Sequence, residues 1–201
     1  ARLTSAIISA AITAGESGSM GRNGGMTQAD GTIIKGPVIT DGPMKGQQAW
    51  GPHQFMVSTA KEAAQRAGLP WDEALFKGTS AESRKYHDKL QAAHVEKLMG
   101  MFDTTVEIAA AYNAGEGNVI KAKEKFAKAQ KLIEMGVKPV LPGTYRPESG
   151  PLSFLDFLPK PGETKPYVER VMAAAGSAPD IIRPTSQDIE ATLAQKFPGR
   201  P

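Results

Sequence analysis

A chain of 201 residues makes one to one and a half domains on a prior of about 150 residues each, and its 40% hydrophobic and 22% charged composition is that of a globular protein with a buried core, which excludes disorder. No stretch approaches the roughly 20 apolar residues that cross a bilayer, and the absence of cysteine removes disulfides, thiolate nucleophiles and Cys-ligated zinc. With 24 basic against 21 acidic side chains the net charge is only +3, a mild pull toward anionic surfaces and not the footprint of a specific nucleic-acid binder.

Ile7, Ile8, Ala11 and Ile12 recur at helical spacing, and Glu16 follows Ile12 by four positions before a break at Gly18. Glu16 is therefore expected to project from the end of a buried helix. The apolar stretch Ala6 to Ala14 is too short for a membrane span and lacks a preceding basic run, so it reads as a core helix and no leader is assigned. From Gly18 to Gly51, Asp30-Gly31 and Asp41-Gly42 flank the β-favouring runs Thr32 to Ile34 and Val38 to Thr40, which predicts a small hairpin lobe.

Helical pattern resumes from Ser58 to Ala67. A longer helix is predicted from a capping box at Thr79 and Glu82 to about Met101, and a second box at Thr104 and Glu107 opens one that reaches Tyr112 and breaks at Asn113-Ala114-Gly115. The next spans about Asn118 to Met135 and stops at Gly136. Residues 137 to 166 form a proline-rich loop anchored by Phe154, Leu155, Phe157 and Leu158, before a helix from about Lys165 to Ala175. The division expected is a domain over 1–175 and an extension or linker over 176–201.

Four segments taken in order carry a resemblance: Glu16-Ser17-Gly18, Gly51-Pro52-His53-Gln54-Phe55-Met56, Ala111-Tyr112-Asn113-Ala114-Gly115-Glu116-Gly117 and Glu163-Thr164-Lys165-Pro166-Tyr167-Val168. Together they resemble the soluble lytic transglycosylases, relatives of goose-type lysozyme, over about residues 3 to 175. The resemblance implies a mainly helical (α+β) lysozyme-like fold and a glycan groove. It implies cleavage of the bond between N-acetylmuramic acid and N-acetylglucosamine in peptidoglycan, with a 1,6-anhydromuramic end. Glu16 would be the acid and then the base, Tyr112 would lie near it, and Asn113 would meet the substrate's N-acetyl group. Gln54, Ser17, His53 and Tyr167 would complete the cleft, with no metal and no cofactor.

The chemistry is self-consistent. A carboxyl group held out of water stays protonated and can donate to a leaving oxygen. When the sugar's own 6-hydroxyl attacks C1, one carboxylate suffices, because no second group is needed to activate water. His53 stands where the family usually has methionine, which leaves two readings open: an ionisable ring beside the expected glycan path, whose charging near pH 6.5 lowers activity, or equally a ring that simply hydrogen-bonds in the turn. The interval from Ser19 to Trp50 is longer than usual and carries Asp30 and Asp41, either of which would be the second carboxylate of a muramidase; turn geometry is their ordinary role. A non-catalytic glycan-docking or structural module of a virion or secretion apparatus is the reading from another class. Action in the periplasm or cell wall is expected, with carriage in a phage virion the favoured setting over a periplasmic bacterial protein.

Other features carry less. The glycines at 15, 18, 21, 24 and 25 fit no nucleotide-binding pattern, and His87 and His94, seven apart, make no metal site. Lys121, Lys123, Lys125, Lys128 and Lys131 make a basic helix, by default a solvated face.

Overall fold

The computed structural model describes residues 5–19, 26–42, 44–147 and 150–176. Within these, seven α-helices run in the order α1 (Ser5–Ser19), α2 (Val57–Arg66), α3 (Glu73–Lys77), α4 (Ala81–Met101), α5 (Thr105–Ala114), α6 (Glu116–Glu134) and α7 (Pro161–Ala174). A 3₁₀ turn, Phe154–Phe157, lies between the last two. The architecture is that of a lysozyme-like helical domain. The expected extension lies, from 177 onward, outside the described residues.

Two apolar clusters organise the helices. The larger joins Ile8, Ala11 and Ile12 of α1 to Val106 and Ile108–Ala111 of α5, to Val119 and Ala122 of α6, and to Tyr167, Val168 and Val171 of α7. Leu155 and Leu158 from the proline-rich segment close it, so that segment is packed on the body as its apolar anchors predicted. The smaller cluster gathers Phe55 from the preceding turn, Ala60, Ala63 and Ala64 of α2, Phe76 of α3, and Tyr86 and Leu90 of α4. The helix α4 carries both clusters, because 21 residues give it about six turns and two usable faces.

The predicted helices are present with adjusted ends. The box at Thr104 and Glu107 closes in both directions, and the Glu107 carboxylate also pairs with Lys123 at 2.5 Å, tying the start of α5 to α6. Gly115, at φ +86°, is both the stop of α5 and the start of α6, a conformation that glycine adopts without a side-chain penalty. The predicted cap at Thr79 is replaced by Ser80, whose oxygen accepts from the Ser83 N–H. The helix α7 begins at Pro161, four residues before the predicted start, since a proline at the first helical position has no amide hydrogen to waste. The short α3, capped by Asp72, has no counterpart among the predicted elements.

The hairpin lobe is looser than predicted. Thr27 bridges Ile33, Lys35 bridges Trp50 and Trp50 bridges Phe55, all antiparallel, with no continuous strand among the described residues. Both turns sit where Asp-Gly placed them, with Gly31 at φ +79° and Gly42 at +74°. The two β-favouring runs pair with flanking segments and not with each other: Gln28 N–H donates to Thr32 O, and Ile39 N–H donates to Gln47 O.

The buried face of α4 is unusual in holding polar groups: Ser83, His87, Gln91 and His94. The His87 ring stacks on Phe76 with centroids 5.1 Å apart, and its Nε2 lies 2.8 Å from the Phe76 carbonyl, to which it donates. His94 packs against Phe55 and Tyr112. Burial holds both rings neutral, with pKa values pushed down to about 4. An unfolded chain takes up protons at these positions near pH 6.5, so it binds more protons than the native state between about 6.5 and 4, and stability falls as pH falls through that window. Urea unfolding at pH 6.5 and 4.5 is expected to show a loss of a few kcal/mol, on the order of 3 kcal/mol per histidine at the limit. The His87→Gln/His94→Gln double variant should show a flatter dependence, and an unchanged slope would remove the histidines as its cause.

Candidate active site

Glu16 lies in the last turn of α1, on the side that packs against α7. The contact is close because residue 15 has no side chain: a Cβ there would stand 2.7 Å from Val171 Cγ2 and 3.6 Å from the Tyr167 ring. With the helices this near, Tyr167 and Arg170, one turn apart on α7, face Glu16. Tyr112 of α5 comes to the same place, its phenol feeling the Glu16 charge. Burial pushes the Glu16 carboxyl up to about 7, while Tyr167 and the Arg170 guanidinium pull in the opposite direction and lose. The Tyr167 hydroxyl stands near enough to favour the ionised carboxylate, yet it is buried without a hydrogen bond of full geometry, as is Arg170 Nε.

Around this acid the remaining predicted residues fall into place unequally. Tyr112 donates through its hydroxyl to the His53 carbonyl at 2.8 Å, which ties the turn at residues 51–54 to α5. That turn is narrow: Trp50 and Phe55 exchange both backbone hydrogen bonds at 2.9 Å. Gly51 at φ +74° lies so close to His87 that a Cβ would stand 2.3 Å from the ring. Gln54 adopts φ +51° and turns its amide back to donate to Gly51 O at 2.8 Å, with its Oε1 against Gly36. Asn113 is exposed at the end of α5 and accepts from Thr164 Oγ1 at 2.9 Å, linking the Asn-Ala-Gly break to α7. The two line a pocket of about 280 Å³ with Asn118, Lys160 and Glu163. Ser17 belongs to α1, but its side chain lies outside the described residues.

Of the two readings of His53, the structure agrees with the hydrogen-bonded ring and not with the one open to the glycan path. Its ring is 1% exposed, so it does not lie open along a glycan path. Nε2 is 2.7 Å from Asp88 Oδ1, and the carboxylate can only accept, so the proton sits on Nε2 and leaves Nδ1 facing the Thr13 hydroxyl at 3.3 Å. Desolvation lowers the ring's pKa from its ordinary value despite the pull of Asp88. Thr13 in turn accepts from Gln91 Nε2 at 2.9 Å, and Gln91 also donates to the Ser9 carbonyl. This network of Thr13, His53, Asp88 and Gln91 holds α1, the turn and α4 together. Sequence reasoning missed it, although polar residues at the buried spacing of α4 were a readable signal.

Of the two candidate second carboxylates, one is engaged in its own turn and the other is exposed. Asp30 Oδ1 accepts from the Thr32 N–H at 3.0 Å and from the Thr32 hydroxyl at 2.7 Å, an Asx turn that holds its carboxyl below the usual range. Asp41 is exposed in the second turn. No cluster of His, Asp and Glu suited to a metal ion occurs among the described residues. The larger cavity, about 660 Å³ between α2 and α4, is lined by none of the predicted site residues.

The described residues thus form a helical lysozyme-like body in which a half-buried carboxyl, Glu16, sits at the meeting of α1 and α7. Residues 37–134 match the family described as the transglycosylase SLT domain, a match that supports the resemblance to the lytic transglycosylases and a peptidoglycan-acting function of that general type. The matched stretch contains His53, Gln54, Tyr112 and Asn113; Glu16, Ser17 and Tyr167 lie on either side of it. No curated protein and no solved structure matched the chain.

The Gly15–Val171 contact has a measurable sign. Gly→Ala inside an isolated helix stabilises by about 1 kcal/mol. Gly15→Ala is expected instead to cost about 1–3 kcal/mol by overpacking α1 against α7, read as a Tm lower by roughly 3–10 °C. A raised Tm would show that the two helices do not need the close approach.

Proposed function

We propose that the chain is a lytic transglycosylase that cleaves the β-1,4 bond between N-acetylmuramic acid and N-acetylglucosamine and leaves a 1,6-anhydromuramic end. The observation that carries this reading is Glu16, a carboxyl raised to about 7 by burial and flanked by phenols and a guanidinium, with no second carboxylate among the groups acting on it. Below that pH the group is neutral and can donate. Its O–H proton passes to the glycosidic oxygen as the C1–O bond breaks, the muramic 6-hydroxyl attacks C1, and the carboxylate then takes the O6 proton. The nucleophile is tethered in the substrate, which supplies the advantage of an intramolecular reaction, on the order of 10⁵ M or more when well oriented. Tyr112 and Asn113 shape the cleft from α5, Gln54 and His53 build its turn, and Tyr167 borders the acid. The setting that goes with this reading is the periplasm or cell wall, with delivery by a phage virion favoured.

Glu16→Gln is expected to lower turnover of purified sacculi by a factor of about 10²–10⁴. Its Tm at pH 8 should equal or exceed that of the parent, since a buried carboxylate ionised at that pH is removed. Retained turnover would take Glu16 out of the mechanism. In the parent protein kcat/KM should fall as pH rises through about 7, because the donor must be protonated. A limb near 4.5 would contradict the burial argument. Mass spectrometry of the released muropeptides separates the chemistries: anhydro ends are expected, and reducing ends that have gained water would show a hydrolase.

A further inference from the structure

Two donors on α7 are left open. The Tyr167 hydroxyl and Arg170 Nε are both buried without a hydrogen bond of full geometry, while the hydroxyl stands near enough to Glu16 to favour its ionised form. Leaving a buried donor unmade costs about 1–3 kcal/mol, so such a group calls for a physical reason. These two lie one turn apart, on the face of α7 that the missing side chain of Gly15 brings against α1. The Arg170 guanidinium sits over the Tyr167 ring, 5.9 Å from its centroid, a cation–π contact within the pair. Opposite them is the Glu16 carboxyl.

We propose that Arg170 is a positioning residue for the reaction, holding with Tyr167 a donor pair on α7 for the Glu16 carboxylate that exists only after the proton has moved to the leaving oxygen. The inference rests on Glu16 being the acid. When the Glu16 O–H bond breaks, a buried negative charge appears where none stood before. Donors already in place stabilise it without reorganisation, the general route by which polar sites lower a barrier. The stabilisation is differential because a hydroxyl and a guanidinium donate more strongly to the ionised carboxylate than to the neutral acid, and both pull the Glu16 carboxyl toward its charged form. The same pair limits the basicity of the carboxylate that later takes the O6 proton. Facing Glu16 are Tyr167 and Arg170 from α7 and Tyr112 from α5. The helix α4 meets α1 through uncharged Gln91, and the His53 ring, bonded to Asp88, reaches Thr13.

The test compares Arg170→Gln and Arg170→Lys with the parent on soluble, uncrosslinked glycan strands, together with a ¹³C carboxyl NMR titration of Glu16 in the substrate-free proteins. Arg170→Gln is expected to lower kcat by about 10- to 100-fold with KM within about twofold. Both the alkaline limb of kcat and the Glu16 titration should move up by about 0.5–1 pH unit. Arg170→Lys, which restores a charge without the fork, should recover the titration and part of kcat. If Arg170→Gln does not fold, Arg170→Met keeps the apolar stem over the Tyr167 ring and carries the same readouts. A lowered Tm with kcat, limb and titration unmoved would reduce Arg170 to a packing partner of Tyr167 and overturn the proposal. Activity retained in Glu16→Gln would overturn the acid assignment, and the proposal with it, by a separate result.

Discussion

The approach of α1 to α7 is the constraint on which the site depends. A carboxyl at the end of a helix is ordinarily solvated and ionised near pH 4.5. Glu16 is different because α7 lies across it, and α7 can lie there because position 15 is glycine and Val171 fills the space. Desolvation then outweighs both the nearby phenol and the guanidinium, and the group stays neutral into the physiological range. The same contact brings Tyr167 and Arg170 to the acid, so one missing side chain sets both the protonation state and its electrical surroundings.

A second level of construction holds the turn at residues 51–54 in register with that acid. Tyr112 anchors the turn's backbone to α5, Gly51 is pressed against His87, and His53 reaches Asp88 and Thr13. Three histidines that a sequence reader inspects for metal binding or titration are instead structural members. Each is buried, two packed among Phe55, Phe76 and Tyr112 and one bonded to Asp88, and desolvation lowers the pKa of all three, in His53 against the pull of that carboxylate. The protein thus carries opposite pH responses: acidification protonates a carboxyl already suited to hold its proton, while it forces charge onto rings that the fold keeps dry.

Much of the helical frame was legible. Amphipathic spacing in α1, the box at Thr104 and Glu107, and the stops at Gly115 and Gly136 are local signals, and each is where the pattern put it. The errors were local rivalries that short-range rules cannot resolve. Thr79 and Ser80 are both competent caps, and the one whose oxygen reaches the third amide takes the position. The β-favouring runs around Asp30-Gly31 and Asp41-Gly42 were recognised, but their partners lie in segments with weaker signals, and pairing depends on which backbones meet.

Sequence alone determined which residue types were on hand: a lone acid at a helix end, a Tyr-Asn-Ala-Gly break, a narrow turn carrying Gln54, and a tyrosine near the start of the last long helix. Tertiary structure decided what environment each would have. It took His53 out of solvent, spent Asp30 on its own turn, and set Arg170, which no local pattern marked, beside Glu16. The physical reason is that helix caps and glycine breaks are settled within a few residues, whereas dielectric and charge around a carboxyl are properties of whatever distant chain lies across it.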